Sequence, residues 1–310
     1  MSGTPALKAL LFATAWALLS VGGARAAESI TLKNLRADVE VIPEDRPDVA
    51  VSVEPRGSAD PPPVVSRAGD RVTVQGQIQT GQRTYRISLN LDRGMDVEAM
   101  KRRSHVRRTH PSDLPLIVIH TPLKVRLKSG AYVFGHIGPS RSLAISDNGD
   151  GEWRIDAVSE DVSVEGNGGT DFHLSTSRTA SVDLLGTGNV ALGDTQSLYA
   201  SLWGSGNVTA GRIGHDLDLT LSGIGDFEAQ SVSGPMHVLI SDAGGARIED
   251  GDVSKLTVRT IDGIGGVQFG GTVKDVDVDI GTITRVHIHK VTGVVRKITR
   301  QQATLQIDNP

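Results

Sequence analysis

Apolar and polar positions alternate one for one through most of 146–298, as in Asp216-Leu217-Asp218-Leu219-Thr220-Leu221 and Lys274-Asp275-Val276-Asp277-Val278-Asp279-Ile280. A period of two puts one side of a strand in a core and the other in water, so the pattern predicts strands. A recurring turn punctuates them: Gly186-Thr187-Gly188-Asn189, Gly204-Ser205-Gly206-Asn207, Gly223-Ile224-Gly225-Asp226 and Gly263-Ile264-Gly265-Gly266, with worn copies at Asp242 and Gly281. Successive copies lie 18, 19, 19, 21 and 18 residues apart. After each well-formed turn comes a short strand, such as Val208-Thr209-Ala210 or Phe227-Glu228-Ala229, with apolar residues at the same two offsets. A fixed period near 20 signals a stack of similar units, each burying its apolar side against its neighbours. No ten-residue helical pattern and no leucine-rich-repeat signature interrupts the series. The fold class is therefore all-β, a parallel β-helix or solenoid with coils of about 19 residues. At roughly 4.8 Å per coil, about eight coils from 146 onward make a rod on the order of 40 Å long.

Upstream the pattern loosens. Gly149-Asp150-Gly151 and Gly166-Asn167-Gly168-Gly169 carry the turn series backwards, and strands are predicted over 30–35, 49–53, 64–77, 116–119 and 125–134. Proline-rich turns, including Pro61-Pro62-Pro63, separate the first three. The segment 27–145 is read either as the first, wider coils of the same solenoid or as a small β-rich cap. A solenoid end exposes unpaired backbone and apolar core, so caps are expected at this end and over 303–307 at the other.

Composition adds three constraints. The first 26 residues read as a secretory signal: Lys8, then a mainly apolar run of 13 over 9–21, then the small-x-small site Ala24-Arg25-Ala26. An uncleaved anchor is the alternative. Either way an exported, periplasmic or extracellular protein is expected, with no membrane span in the mature chain. Second, there is no cysteine, which excludes disulfides, thiolate metal sites and a lipidated cysteine. Third, removing the leader takes away Lys8 and Arg25 and moves the net charge from −4 to −6, which argues against nucleic acid as the main partner. The basic charge that exists is concentrated in 101–111, where Lys101, Arg102, Arg103, Arg107 and Arg108 form a loop suited to an anion, such as an acidic glycan or a lipid headgroup.

The Gly-x-Gly-Asn/Asp turn followed by a Val-x-Ala strand resembles the head GIN domain family, best in Gly204-Ser205-Gly206-Asn207-Val208-Thr209-Ala210. The opening Ile30-Thr31-Leu32-Lys33-Asn34-Leu35 is similar to that family's first strand. The resemblance implies a right-handed parallel β-helix in an exported, adhesin-like bacterial protein with no established catalytic activity.

Candidate chemistry is thin. Asn189, Asn207 and Asp226 could stack oxygens around calcium, but both residue types also serve turns by bonding their own backbone. Asp275, Asp277 and Asp279 would suit a polysaccharide lyase or hydrolase. Offset counting sets Lys255, Thr257 and Arg259 beside them, which makes a salt-bridged face. His287 and His289 point outward from one strand, without a third ligand except the acids near Asp277. Tyr199 and Trp203 are the candidate ligand-binding aromatics: strict offset counting turns both inward and Leu198 and Leu202 outward, while a one-residue slip exposes the rings. Leu239 is expected to face outward. No catalytic residues, cofactor or metal are assigned. The expected activity is non-enzymatic binding of a cell-envelope component, glycan or protein. The alternatives are a polysaccharide-degrading enzyme and a purely structural envelope protein.

Overall fold

The computed structural model describes residues 29–58, 60–78, 111–261 and 263–309. Apart from one 3-10 turn at Pro111–Asp113, the described elements are all strands. They are β1 (Ser29–Glu44), β2 (Ala50–Glu54), β3 (Val64–Ala68), β4 (Arg71–Gln75), β5 (Leu116–Pro122), β6 (Lys124–Ile137) and β7 (Ser142–Asp147). Next come β8 (Asp150–Ile155), β9 (Asp161–Gly166), β10 (Asp171–Leu174), β11 (Ser177–Leu184), β12 (Val190–Leu192), β13 (Thr195–Leu202) and β14 (Val208–Leu221). The series ends with β15 (Phe227–Ile240), β16 (Ala246–Thr260), β17 (Gly266–Ile280), β18 (Arg285–Val291), β19 (Val295–Thr299) and β20 (Thr304–Asn309).

The alternating sequence builds a parallel β-solenoid of about ten turns with coils of about 19 residues. Each coil supplies one strand segment to a front sheet and one to a back sheet. The front runs through β7, β9, β11, β13, the second halves of β14 to β17, and β19. The back runs through β8, β10, β12, the first halves of β14 to β17, β18 and β20. A glycine turn carries each coil from front to back, and an opposite corner brings it round again. One continuous apolar core fills the space between the sheets. Bulky and small residues share it by register: Phe227 stacks beside Ala246, while Phe269 stacks beside Ile248 and then Ala229.

The N-terminal half combines the two expected arrangements. Long β1 pairs in parallel with β6, so both are coils of the same solenoid. On the other edge of β1 lie β4 and β5, also parallel, and each is covered by an antiparallel partner: β3 on β4 and β2 on β5. Reversing strand direction ends the parallel ladder, which is how this end is capped. The strand predicted over 64–77 is really the hairpin β3–β4, broken at Gly69, whose φ of 57° only glycine adopts without strain. At the other end, where a capping strand is expected over 303–307, the chain forms β20. Strand β20 pairs in parallel with β18 and continues the ladder as one more coil segment. Among the described residues no helix is long and apolar enough to cross a membrane.

Candidate functional site

The turn residues come first, because their order is strictest. The Asp171 Oδ1 accepts the Asn189 backbone N–H at 2.8 Å. In turn Asn189 Oδ1 accepts the Asn207 N–H (3.0 Å), Asn207 Oδ1 accepts that of Asp226 (2.8 Å), and Asp226 Oδ1 accepts that of Gly245 (2.8 Å). These side chains therefore bond the next coil's backbone and not their own, correcting the turn chemistry expected from sequence. Their oxygens are spent along the solenoid axis, one per step, so they do not converge on an ion. Asn207→Ala should orphan the Asp226 N–H and cost about 1 kcal/mol, whereas Asn207→Asp keeps the acceptor and should cost less. Urea denaturation with and without calcium checks both points; a calcium-dependent midpoint would restore the metal reading.

The carboxylate row on β17 is likewise engaged. Register places Lys255, Thr257 and Arg259 beside Asp275, Asp277 and Asp279, as offset counting predicts. The contacts run diagonally, however. Arg259 reaches Asp277 at 3.0 Å and holds that carboxyl below the usual carboxylate range, chiefly by its hydrogen bond. Asp279 accepts from Arg300 at 3.1 Å, and Asp275 accepts the Val294 N–H at 2.9 Å. On β18, His287 Nε2 lies 2.7 Å from Asp308 Oδ1, and His289 Nδ1 lies 3.5 Å from Oδ2 of the same carboxylate. Their acidic neighbour is thus on β20 and is not one of the acids near Asp277. Among the described residues no group of three or more acidic or histidine side chains is arranged to hold a metal ion.

Tyr199 and Trp203 face solvent, 47% and 59% exposed, while Leu198 and Leu202 are fully buried. Strict offset counting, which turned the rings inward, is overturned. The register between β13 and β14 slips by one residue between Thr195 and Ser197, at the corner where β14 carries Gly214 and His215. Counting forward across that corner loses the phase; counting back from the following glycine turn keeps it. Leu239 faces outward as expected and is half-buried. The basic loop residues Lys101, Arg102, Arg103, Arg107 and Arg108 lie outside the described residues, as does the leader.

A concave surface sits on the front sheet, N-terminal to Tyr199. Its outward middle column reads Arg126, Ala144, Ser163, Ser181, Tyr199 across β6, β7, β9, β11 and β13. Small side chains between an arginine and a tyrosine leave a trough. A depression of about 740 Å³ lies over it, bounded by Glu44, Arg46, Lys124 and Arg141. A second of about 740 Å³ lies on the far side of Arg126, against Asp70, Arg71, Lys128 and Glu165. The wall at Glu44 is braced: Arg46 donates to Glu44 at 2.8 Å and His120 Nδ1 lies 3.0 Å from the same carboxylate. Arg46, then His120, hold Glu44 below the usual carboxylate range. Sequence reading missed this row of Lys124, Arg126 and Lys128. The signal was available, since Lys124-Val125-Arg126-Leu127-Lys128 alternates three cations onto one side of a strand.

Compared with known proteins, no family model, no curated sequence and no solved structure matches this chain. The likeness to head GIN proteins therefore rests on the turn motif and the opening strand alone.

Proposed function

We propose that this chain is an exported, non-enzymatic, adhesin-like solenoid whose front sheet binds an extended glycan of the cell envelope or cell surface. One observation carries this reading: the trough of Ser142, Ala144, Ser163 and Ser181 that opens between the Lys124–Arg126–Lys128 row and the half-exposed ring of Tyr199. The Ser163 and Ser181 hydroxyls lie one coil apart, roughly 4.8 Å and close to the length of a sugar ring. Both charge signs line it, which suits a polyhydroxylated, weakly charged chain better than an apolar ligand. A tyrosine at the end of such a groove offers a flat apolar surface with a polar tip, the combination that sugar faces need. The carboxylates a degrading enzyme would use are instead bonded into the rows on β17.

Glycan-array or affinity-electrophoresis binding tests the proposal. Tyr199→Ala should weaken retention about tenfold, a loss of about 1.4 kcal/mol, without changing the fold. Ser163→Trp, which fills the trough, should abolish retention. Binding that survives both substitutions would remove the front sheet from consideration. Release of new reducing ends or unsaturated products would make the protein an enzyme.

A further inference from the structure

Leu185, Trp203, Ile224, Ile261, Ile264 and Ile283 all lie on the glycine-turn edge, each 55–64% exposed. They include half of the large apolar side chains that stand out in solvent among the described residues. Register sets them in successive coils. The Leu185 position recurs as Trp203, Ser222, Ser241 and Ile261, and the tip between the glycines recurs as Thr187, Ser205, Ile224, Ala243 and Ile264. The result is an apolar ridge along the rod, separate from the front-sheet trough.

Three properties suit this ridge to being covered. Its backbone is already satisfied, since the Trp203, Ser205, Ile224, Ile261 and Ile264 N–H groups each donate to the preceding coil at 2.7–3.1 Å. The hydroxyls of Ser222 and Ser241 bond each other at 2.8 Å. Finally, six half-exposed apolar side chains at roughly 100 Å² apiece amount to on the order of 600 Å², the upper end of what a monomer normally leaves open.

We infer that the ridge is the interface of a two-fold dimer in which two copies of this chain lie antiparallel, turn edge to turn edge. The size pattern along the ridge selects this occupant. The bulky coils sit at both ends, Leu185 and Trp203 at one and Ile261, Ile264 and Ile283 at the other. In the middle, the coil of Ile224 is followed by the small coil of Ser241, Ala243 and Gly244. A two-fold axis between those middle coils seats Ile224 in the partner's small coil. Such an axis lays each column on its own copy, so Trp203 meets the partner's Ile261, Leu185 the partner's Gly281 and Thr187 the partner's Ile283. A parallel arrangement in register would swap the columns, setting Ile261 on the partner's Ile264 and leaving Ser241 and Ala243 facing a gap. An isologous contact needs this self-complementarity, and doubling the ridge area reaches about 1,200 Å², enough for a stable pair.

Sedimentation velocity and cysteine cross-linking test the inference, with no native cysteine to interfere. The wild type should be a dimer at micromolar concentration, and Ile224→Asp with Ile264→Asp should make it a folded monomer. Trp203→Cys combined with Ile261→Cys should cross-link two chains on oxidation. Neither single variant should do so, because its own copies would lie about 14 Å apart. Cross-linking of a single variant would show a parallel contact. A monomeric wild type, or one that floats with neutral lipid vesicles through this ridge, would overturn the dimer.

Discussion

Gly206→Ala should destabilise the solenoid by about 3 kcal/mol or more, a large effect for one added methyl group. A Cβ at Gly206 would fall on the carbonyl oxygen of Gly188 in the preceding coil. The same holds down the stack, with Gly188 over Thr170, Gly225 over Gly206 and Gly265 over Gly244. A second stack links Gly186, Gly204 and Gly223 to Gly168, Gly186 and Gly204 in the same way. None of these glycines has a positive φ, so their need is for close approach between coils and not for a left-handed backbone. The obstructing atom is main chain, itself held in the ladder, so no side chain can move aside and the coils must part. Because each coil is stabilised only by its neighbours, the damage should spread to both sides. Gly214→Ala is the control, since its nearest atoms would be 3.9 Å away; it should change stability little or raise it slightly. Urea denaturation followed by circular dichroism compares the two. Equal midpoints would refute the close-approach account.

The glycine stacks show what a one-dimensional reading can and cannot reach. Strict alternation through Leu217, Leu219 and Leu221 reports burial directly, because a two-residue period has only one way to place them. The turn spacing likewise reports stacking, so the fold and the Lys255–Asp275 register were both legible. The reason for each glycine was not, since turn conformation and close packing ask for the same residue. Phase was lost at Tyr199 because the compensating residue at the β14 corner leaves no mark in the alternation. The cap was ambiguous because antiparallel pairing of β2 with β5 joins residues some 66 positions apart, such as Ala50 with His120 at 70. The trough was invisible for a simpler reason. Serine and alanine at 142–146, 163 and 181 say nothing alone, and become a groove only when register lines them up. The ridge was hidden because an isoleucine between two glycines looks like ordinary turn variation.

The second large effect concerns a buried polar pair that joins the front strand β7 to the back strand β8. Trp153 and Asp147 are both fully buried. The indole fits because Gly135, its register neighbour on β6, has no side chain; a Cβ there would lie on the ring. Asp147 Oδ2 accepts the Trp153 Nε1–H at 2.7 Å, and Oδ1 accepts the Gly149 N–H at 2.6 Å. Burial pushes this carboxyl above its ordinary value, against the opposing pull of those two donors. Trp153→Phe should therefore cost about 3–5 kcal/mol at neutral pH, by leaving a cavity and stripping a donor from a buried carboxylate. The two contributions separate by pH. A carboxyl whose folded pKa lies above its unfolded value favours the fold fully below the unfolded value, and that advantage is lost as pH rises through the folded one. Removing the indole donor raises the folded value further. The difference between wild type and Trp153→Phe should then be widest near pH 8 and narrow towards pH 4, where protonation relieves the stranded charge. Glu44, Asp194, Asp277 and Asp308 are shifted the other way by their arginine or histidine partners, so their stabilisation is lost in acid. They are at least partly exposed and common to both proteins, so they cancel in the difference. A cavity alone has no pH dependence. A gap that stays constant across that range would mean that Asp147 needs no partner, and that the indole matters only for its volume.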